Sequence, residues 1–134
     1  MAIIIDGTNG IAGAPGSLTS AGAGGVGYVT GSGGTVTQLT SKSTAVTLNT
    51  AAGQITMNNA TLTAGSSVAF SLNNSLILAS DLIVINPSTN TANYRVHITG
   101  VVNGAAIINV TNISAANLSD SLILNFAIIK GATS

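Results

Sequence analysis

His97 is the single histidine of this 134-residue chain and the one side chain that could act as a general base near neutral pH. Catalysis would also need a nucleophile and an orienting group placed around it. The three carboxylates, Asp6, Asp81 and Asp120, lie in segments that we predict to be an arm or loops, and the chain has no glutamate. Asp81 and Asp120 each follow a serine, which is typical of turns. We therefore predict that the protein is not an enzyme and has no catalytic residues.

Arg95 and His97 alternate along a predicted strand, Tyr94–Ile98, so they share its polar face. Two interpretations of this pair are open. The pair could simply be solvated or face an interface. If chains meet around a threefold axis, Arg95 and His97 could instead line that axis or bind an anion there.

Gly22-Ala23-Gly24-Gly25-Val26-Gly27 matches the dinucleotide-binding fingerprint, which works only between a strand and a helix. The segment Tyr28–Gly34 that follows is too rich in glycine to be that helix, so we reject the motif. The absence of cysteine excludes disulfides and Cys-ligated metals. We expect no cofactor and no metal. Three cationic residues are too few for binding nucleic acid through its phosphates.

Charged residues make up only 4% of the chain, three Lys and Arg against three Asp, while 46% is hydrophobic. The mean hydropathy is +0.57. A surface with so few charges favours association, so we expect other chains to cover it. A spanning helix would need about 20 apolar residues, and runs such as Leu82–Ile85 are far shorter. We expect no membrane insertion and no signal peptide, hence synthesis in the cytoplasm.

Eleven of the 16 glycines lie in residues 1–34. Glycine adds to the entropy cost of ordering and has no side chain to pack, so we predict an extended arm over 1–34 and a folded domain over 35–134. Gly7, Gly10, Gly13 and Gly16 are spaced by three, as in a collagen-like triple helix or by chance; both alternatives imply an extended chain. The partner-binding candidates of the arm are Ile3, Ile4, Ile5, Ile11, Leu18 and Tyr28.

From Val36 onward, apolar residues alternate with polar ones, which predicts β-strands. Asn103-Gly104 predicts a hairpin with a type I′ turn. The fold prediction is an all-β, antiparallel, jelly-roll-like sandwich. Its eight predicted strand segments are residues 36–40, 46–48, 55–57, 68–72, 82–85, 94–98, 106–110 and 122–129.

Two of these segments, Leu82–Ile85 and Leu122–Ile129, are apolar on both faces. One face can pack on the opposing sheet, and the other needs a second cover, either a neighbouring chain or a loop of the same chain. Among the aromatic residues, Phe70 and Phe126 are predicted in the core. Tyr28 and Tyr94 are the candidates for the surface.

Four segments resemble small structural proteins of tailed-bacteriophage virions: Ile3–Ile11, Gly27–Thr44, Gly53–Ala60 and Asn125–Gly131. The resemblance implies a trimeric β-rich knob with an extended amino-terminal arm and without catalytic residues. It further implies a place in the virion, as a capsid cement (decoration) protein bound to the major capsid protein. The alternative is a fibre module bound to the tail baseplate and to a receptor on the host surface.

Overall fold

The computed structural model describes residues 27–28 and 31–133, and these residues form eight strands and no helix. The all-β prediction is therefore confirmed, and each of the eight predicted segments overlaps one strand. None of the described residues belongs to a helix long and apolar enough to cross a membrane. The strands are β1 (Gly33–Thr37), β2 (Val46–Thr47), β3 (Ala52–Thr56), β4 (Ser67–Asn73), β5 (Leu82–Pro87), β6 (Tyr94–Val102), β7 (Ala105–Asn112) and β8 (Ile123–Ile129).

The strands form two four-stranded sheets in a sandwich-like arrangement. Sheet A has the order β1-β3-β8-β5 and sheet B the order β2-β4-β7-β6. Side chains from the inner faces of both sheets make one core, with Ile55 and Leu124 from sheet A and Leu72 and Ile108 from sheet B all 0% exposed. The edge strands are thus β1 and β5 in sheet A, and β2 and β6 in sheet B.

Both sheets are mixed, so the predicted antiparallel pairing holds for only part of the sandwich. β1 pairs with β3 in parallel, and β2 pairs with β4 in parallel. The reason is that the chain changes sheet after each of its first three strands. Neighbours within a sheet are then two strands apart in sequence and run in the same direction. The remaining pairs, β3–β8, β5–β8, β4–β7 and β6–β7, are antiparallel.

The predicted hairpin at Asn103-Gly104 is confirmed, because β6 ends at Val102 and β7 begins at Ala105. The turn is not type I′, since Gly104 has a φ of +84° but Asn103 does not lie in the left-handed region. The Asn103 side chain has another role: its Oδ1 accepts a hydrogen bond from the backbone N–H of Ala79 at 2.9 Å. This long-range contact ties the hairpin to the loop before β5.

Strand alternation determines which residues reach the core. β7 alternates between half-buried and fully buried positions, and β8 directs Leu124, Phe126 and Ile128 inward. Phe70 on β4 is 3% exposed and Phe126 is 4% exposed, so both predicted core positions are confirmed.

The sandwich has two ends with different loops. β1 begins at Gly33, next to the predicted boundary after residue 34. The chain therefore arrives from residues 27–28 at what we name the proximal end, which holds loops 48–51, 74–81 and 103–104 and the residues after β8. The distal end holds loops 38–45, 57–66, 88–93 and 113–122.

Candidate interaction surface

Exposed apolar side chains concentrate at the proximal end. The described residues include nine exposed large hydrophobic side chains, and only Leu39 and Ile113 of these lie at the distal end. Soluble monomers rarely expose contiguous apolar surface, and such patches mark interaction sites. The other seven lie at the proximal end or on the adjoining strands: Tyr28, Leu76, Leu78, Leu82, Val84, Val102 and Ile129.

The core of this surface is an apolar corner on the outer face of sheet A, which we name the β5 patch: Leu82, Val84, Ala127 and Ile129. Leu82 pairs with Ile129 and Val84 pairs with Ala127, so the four side chains form two adjacent rows. Leu82 is 61% exposed and Val84 45% exposed. The predicted second cover of Leu82–Ile85 is therefore not supplied by a loop among the described residues.

The next row of the same face is polar. Asn86 on β5, Asn125 on β8 and Gln54 on β3 occupy one register row. Gln54 donates a hydrogen bond from Nε2 to Oδ1 of Asn125 at 2.9 Å. The β5 patch thus ends abruptly toward the distal end, which confines the apolar surface to the side where the chain enters.

Loop 74–81 is fixed by buried polar side chains. Asn74, 1% exposed, donates from Nδ2 to the Thr50 carbonyl at 2.8 Å, and its Oδ1 accepts from the backbone of Leu76 at 2.9 Å. Its own N–H bonds the Gly104 carbonyl at 2.8 Å. Ordering this loop in advance lowers the entropy cost of binding through Leu76 and Leu78.

Asp81 closes the same loop onto the end of β8. Its Oδ2 accepts from Nζ of Lys130 at 2.7 Å and from the backbone of Leu78 at 2.9 Å, and its Oδ1 accepts from Gly131 at 3.2 Å. This is the one ion pair within the described part of the chain. The hydrogen bond from Lys130, followed by that from the Leu78 backbone, lowers the pKa of the Asp81 carboxyl below its usual value.

Gly131 is required where the carboxyl-terminal segment passes the loop. A Cβ at this position would overlap the backbone carbonyl of Ser80. Glycine therefore permits the close approach through which Asp81 reaches the Gly131 N–H.

Tyr28 lies against the end of β8. Its hydroxyl donates to the Ile128 carbonyl, and its side chain is 49% exposed. With Gly27 it borders a cleft of about 490 Å³ whose other walls are Ala127, Ile128, Ile129 and Lys130. Gly27 and Tyr28 thus lie beside the β5 patch.

The other predicted arm contacts, Ile3, Ile4, Ile5, Ile11 and Leu18, lie outside the described residues. Arg95 and His97 lie on the outer face of β6, and both are exposed. Their register partners on β7 are Thr111 and Asn109, which carry no charge. Within residues 27–28 and 31–133, no group of three or more His, Cys, Asp or Glu side chains could hold a metal ion.

Lys42 anchors the distal loops from a buried position, 4% exposed, that local sequence patterns did not reveal. Its Nζ donates to the carbonyls of Asn58 and Asp120, both at 2.6 Å. Burial lowers the pKa of this amine, and the charge of Asp120 partly opposes that shift. Local periodicity could not find this role, because the two acceptors lie 16 and 78 residues away.

Tyr94 was predicted at the surface, and that prediction was wrong: it is 3% exposed. It starts β6 with its ring in the core, and its hydroxyl donates to Oδ2 of Asp120 at 3.0 Å. Burial, together with this bond to a carboxylate, raises the pKa of Tyr94 to about 12. A polar tip that finds a buried partner lets a tyrosine occupy a core position.

Leu39 protrudes from the distal loop 38–45 and is 85% exposed. The preceding residue, Gln38, is 2% exposed and donates to the carbonyls of Lys42 at 3.1 Å and Thr44 at 2.7 Å. Asn58 holds the Leu39 carbonyl through Nδ2 at 3.2 Å. A fixed loop therefore presents this leucine to solvent.

Comparisons with known proteins return no match: no family model, no curated protein and no solved structure is significantly similar to this chain.

Proposed function

We propose that the protein is a non-enzymatic structural component of a bacteriophage virion, a trimeric capsid cement (decoration) protein. The predicted arm covers residues 1–34, and because Gly33 and Gly34 belong to β1, residues 1–32 serve as the arm, which lies across neighbouring subunits of the major capsid protein. The observation that supports this best is that, among the described residues, seven of the nine exposed large hydrophobic side chains lie at the proximal end or on the strands next to it. The protein is made in the host cytoplasm and resides in the virion.

The mechanism is mechanical. The proximal end supplies apolar contact area on loops that hydrogen bonds already hold in place, which reduces the cost of binding. The arm adds backbone hydrogen bonds and apolar contacts as it orders on its partner. Apolar contacts are not screened by salt, so attachment persists at high ionic strength.

The jelly-roll-like topology and the extended glycine-rich arm belong to the same proposal. Eight strands in two four-stranded sheets agree with a jelly roll, whereas the parallel pairs β1–β3 and β2–β4 depart from its antiparallel pattern. Eleven glycines in the first 34 residues support the arm.

Deletion of the arm tests this proposal. A chain lacking residues 1–26 keeps Tyr28 and all of β1, and we expect it to fold but to lose binding to capsids that lack the protein. Cosedimentation with such capsids measures the binding, and circular dichroism monitors the fold. Unchanged cosedimentation of a folded, shortened chain would refute the role of the arm.

A second candidate function is a tail-fibre or receptor-binding module, in which the arm attaches to the tail baseplate and the distal loops contact the host surface. The exposed Leu39, held on its fixed loop at the distal end, favours this alternative. Copy number per virion separates the two, because a cement protein is present in hundreds of copies and a fibre module in a few to a few dozen. A Leu39→Ser variant that assembles normally but no longer adsorbs to cells would support the fibre module.

A further inference from the structure

Strand β5 has the most apolar free edge of the sandwich. Native sheets shield their edges with charged side chains, bulges or very short strands. Edge strand β6 carries Arg95 and His97 and has a bulge between Ile98 and Gly100, and β2 has only two residues. The outward positions of β1 are Gly33, Thr35 and Thr37.

β5 has no charged side chain and no bulge, and it is not a very short strand. Its six residues pair with β8 without a bulge, it carries no charge, and Pro87 comes only at its last position. Its outward residues, Leu82 and Val84, are exposed, while Ile83 and Ile85 are only half-buried against the core. No other described strand pairs with the free side of β5, although part of β6 in sheet B lies close to β5. An added strand with apolar residues on both faces would pair with the free backbone groups of β5 and contact its apolar side chains.

We propose that Ile3-Ile4-Ile5 of a neighbouring copy adds to the free edge of β5 as a further strand of sheet A. This inference rests on the proposed function of residues 1–32 as an arm, and it gives the first residues of that arm a second partner: they bind a neighbouring copy, while the rest of the arm lies across the capsid subunits. Addition of an extended segment to a sheet edge gains backbone hydrogen bonds along the strand and apolar contacts at alternate side chains.

The sequence before the sandwich contains one suitable segment. Ile3-Ile4-Ile5 is the only run of three consecutive β-branched apolar residues in residues 1–32, and Asp6-Gly7 ends it. As a strand it presents isoleucine on both faces, which matches the two apolar faces of β5.

Chain length allows the arm to reach a neighbouring copy, and the linking role proposed for the arm selects that copy over its own. The 22 residues from Asp6 to Gly27 separate Ile5 from Tyr28, which lies beside the β5 patch. Fully extended, such a spacer reaches about 70 Å, whereas a domain of about 100 residues has a radius of gyration of about 13 Å. The spacer is therefore long enough to pass a whole sandwich, and cyclic exchange of arms among three copies gives a closed trimer.

Disulfide trapping tests the exchange in the full-length chain, which contains no native cysteine. A tagged Val84→Cys protein is mixed, under oxidising conditions, with an untagged chain carrying Ile3→Cys, Ile4→Cys or Ile5→Cys. Directly opposite residues of paired strands are close enough for a disulfide. We expect mixed covalent dimers from one face of the arm only: either from Ile4→Cys alone, or from whichever of Ile3→Cys and Ile5→Cys lies opposite Val84, with none from Ile4→Cys.

The matched control replaces Val84→Cys by Leu39→Cys at the distal end, where we expect no mixed dimer. If Val84→Cys disturbs folding, Leu82→Cys serves in its place, because Leu82 lies on the same face and is more exposed. The proposal is overturned if no mixed dimer forms, if all three arm positions react equally, or if Leu39→Cys reacts as well. A disulfide confined to single, doubly substituted chains would overturn the assignment to a neighbouring copy.

The trapping uses purified protein without capsids, so its outcome is separate from that of the proposed function. If the crosslinks form on one face of the arm only, but the protein never binds capsids, the arm exchange is retained and the cement role is rejected. Capsid binding that depends on the arm, without any crosslink to β5, would retain the cement role and reject the arm exchange.

Discussion

Replacing both Leu82 and Val84 by threonine removes the apolar part of the β5 patch while keeping side chains that suit a strand. Leu82 is 61% exposed and Val84 45% exposed in the single chain. Full burial of one such side chain is worth about 1.5–3 kcal/mol, so covering both exposed fractions in an assembly is worth about 2 kcal/mol. We therefore expect the double variant to associate about 30-fold more weakly than the natural protein.

The same substitutions should hardly affect the folded single chain. Exposed side chains contribute little to the core, so the free energy of unfolding should change by no more than about 0.5 kcal/mol. Sedimentation equilibrium over a concentration series measures association, and urea unfolding of dilute protein measures stability. A matched control, Leu39→Thr with Ile113→Thr, alters two exposed side chains at the distal end.

The reasoning would be refuted if the double variant associated as tightly as the natural protein. It would also be refuted if the distal control weakened association equally, since the effect would then come from general surface hydropathy and not from the β5 patch.

Three further predictions concern the groups that fix the two ends. Tyr94→Phe removes the bond to Asp120 and should lower the unfolding free energy by about 1–2 kcal/mol near pH 7. Since the folded pKa is raised from 10 to about 12, the natural protein should also lose stability between these pH values, and urea unfolding of the variant should lack this loss. Asp81→Asn should lower the free energy of unfolding at neutral pH and reduce the loss of stability on acidification. The pKa of Asp81 is lower in the folded state than the unfolded value of 3.8, so its carboxylate stabilises the fold above that value, and this contribution disappears as the pH falls through the folded pKa. Acid titration of the natural protein and the variant, with Asp6→Asn as control, checks this. Gly131→Ala should lower stability by about 1–3 kcal/mol in thermal unfolding, while Gly27→Ala, where an added Cβ meets nothing, should have no effect; equal melting temperatures would contradict the close approach to Ser80.

Local periodicity was sufficient to predict the strands, because alternation of apolar and polar residues is a local property of the chain. The segment around Phe70 and the segment around Phe126 were both placed in core strands in this way. Periodicity does not encode which strands become neighbours. The parallel pairs β1–β3 and β2–β4 arise from the order in which the chain changes sheet, and no local signal marks that order.

Long-range polar contacts also escaped prediction. Lys is almost never fully buried unless it is paired, and Tyr is intermediate, yet Lys42 and Tyr94 are both buried, because Asp120 accepts from both and Asn58 also accepts from Lys42. Asn103 was expected to adopt a type I′ conformation, but its side chain is bonded to Ala79 across the proximal end. Each outcome depends on a partner that is at least 24 residues away.

The candidate surface could be predicted only in part. The two apolar faces of Leu82–Ile85 indicated a need for a second cover. They could not show whether that cover lies within the chain, because this depends on the path of loop 74–81. The clustering of exposed apolar side chains at the proximal end emerged only from the three-dimensional arrangement.

Imaging of intact virions by electron cryomicroscopy tests the central claim most directly, because it both locates and counts this chain. We predict hundreds of copies on the capsid, grouped in threes, with the proximal end toward the shell and the distal Leu39 pointing outward. A few copies confined to the tail, or sandwiches attached to the shell by their distal ends, would contradict the account.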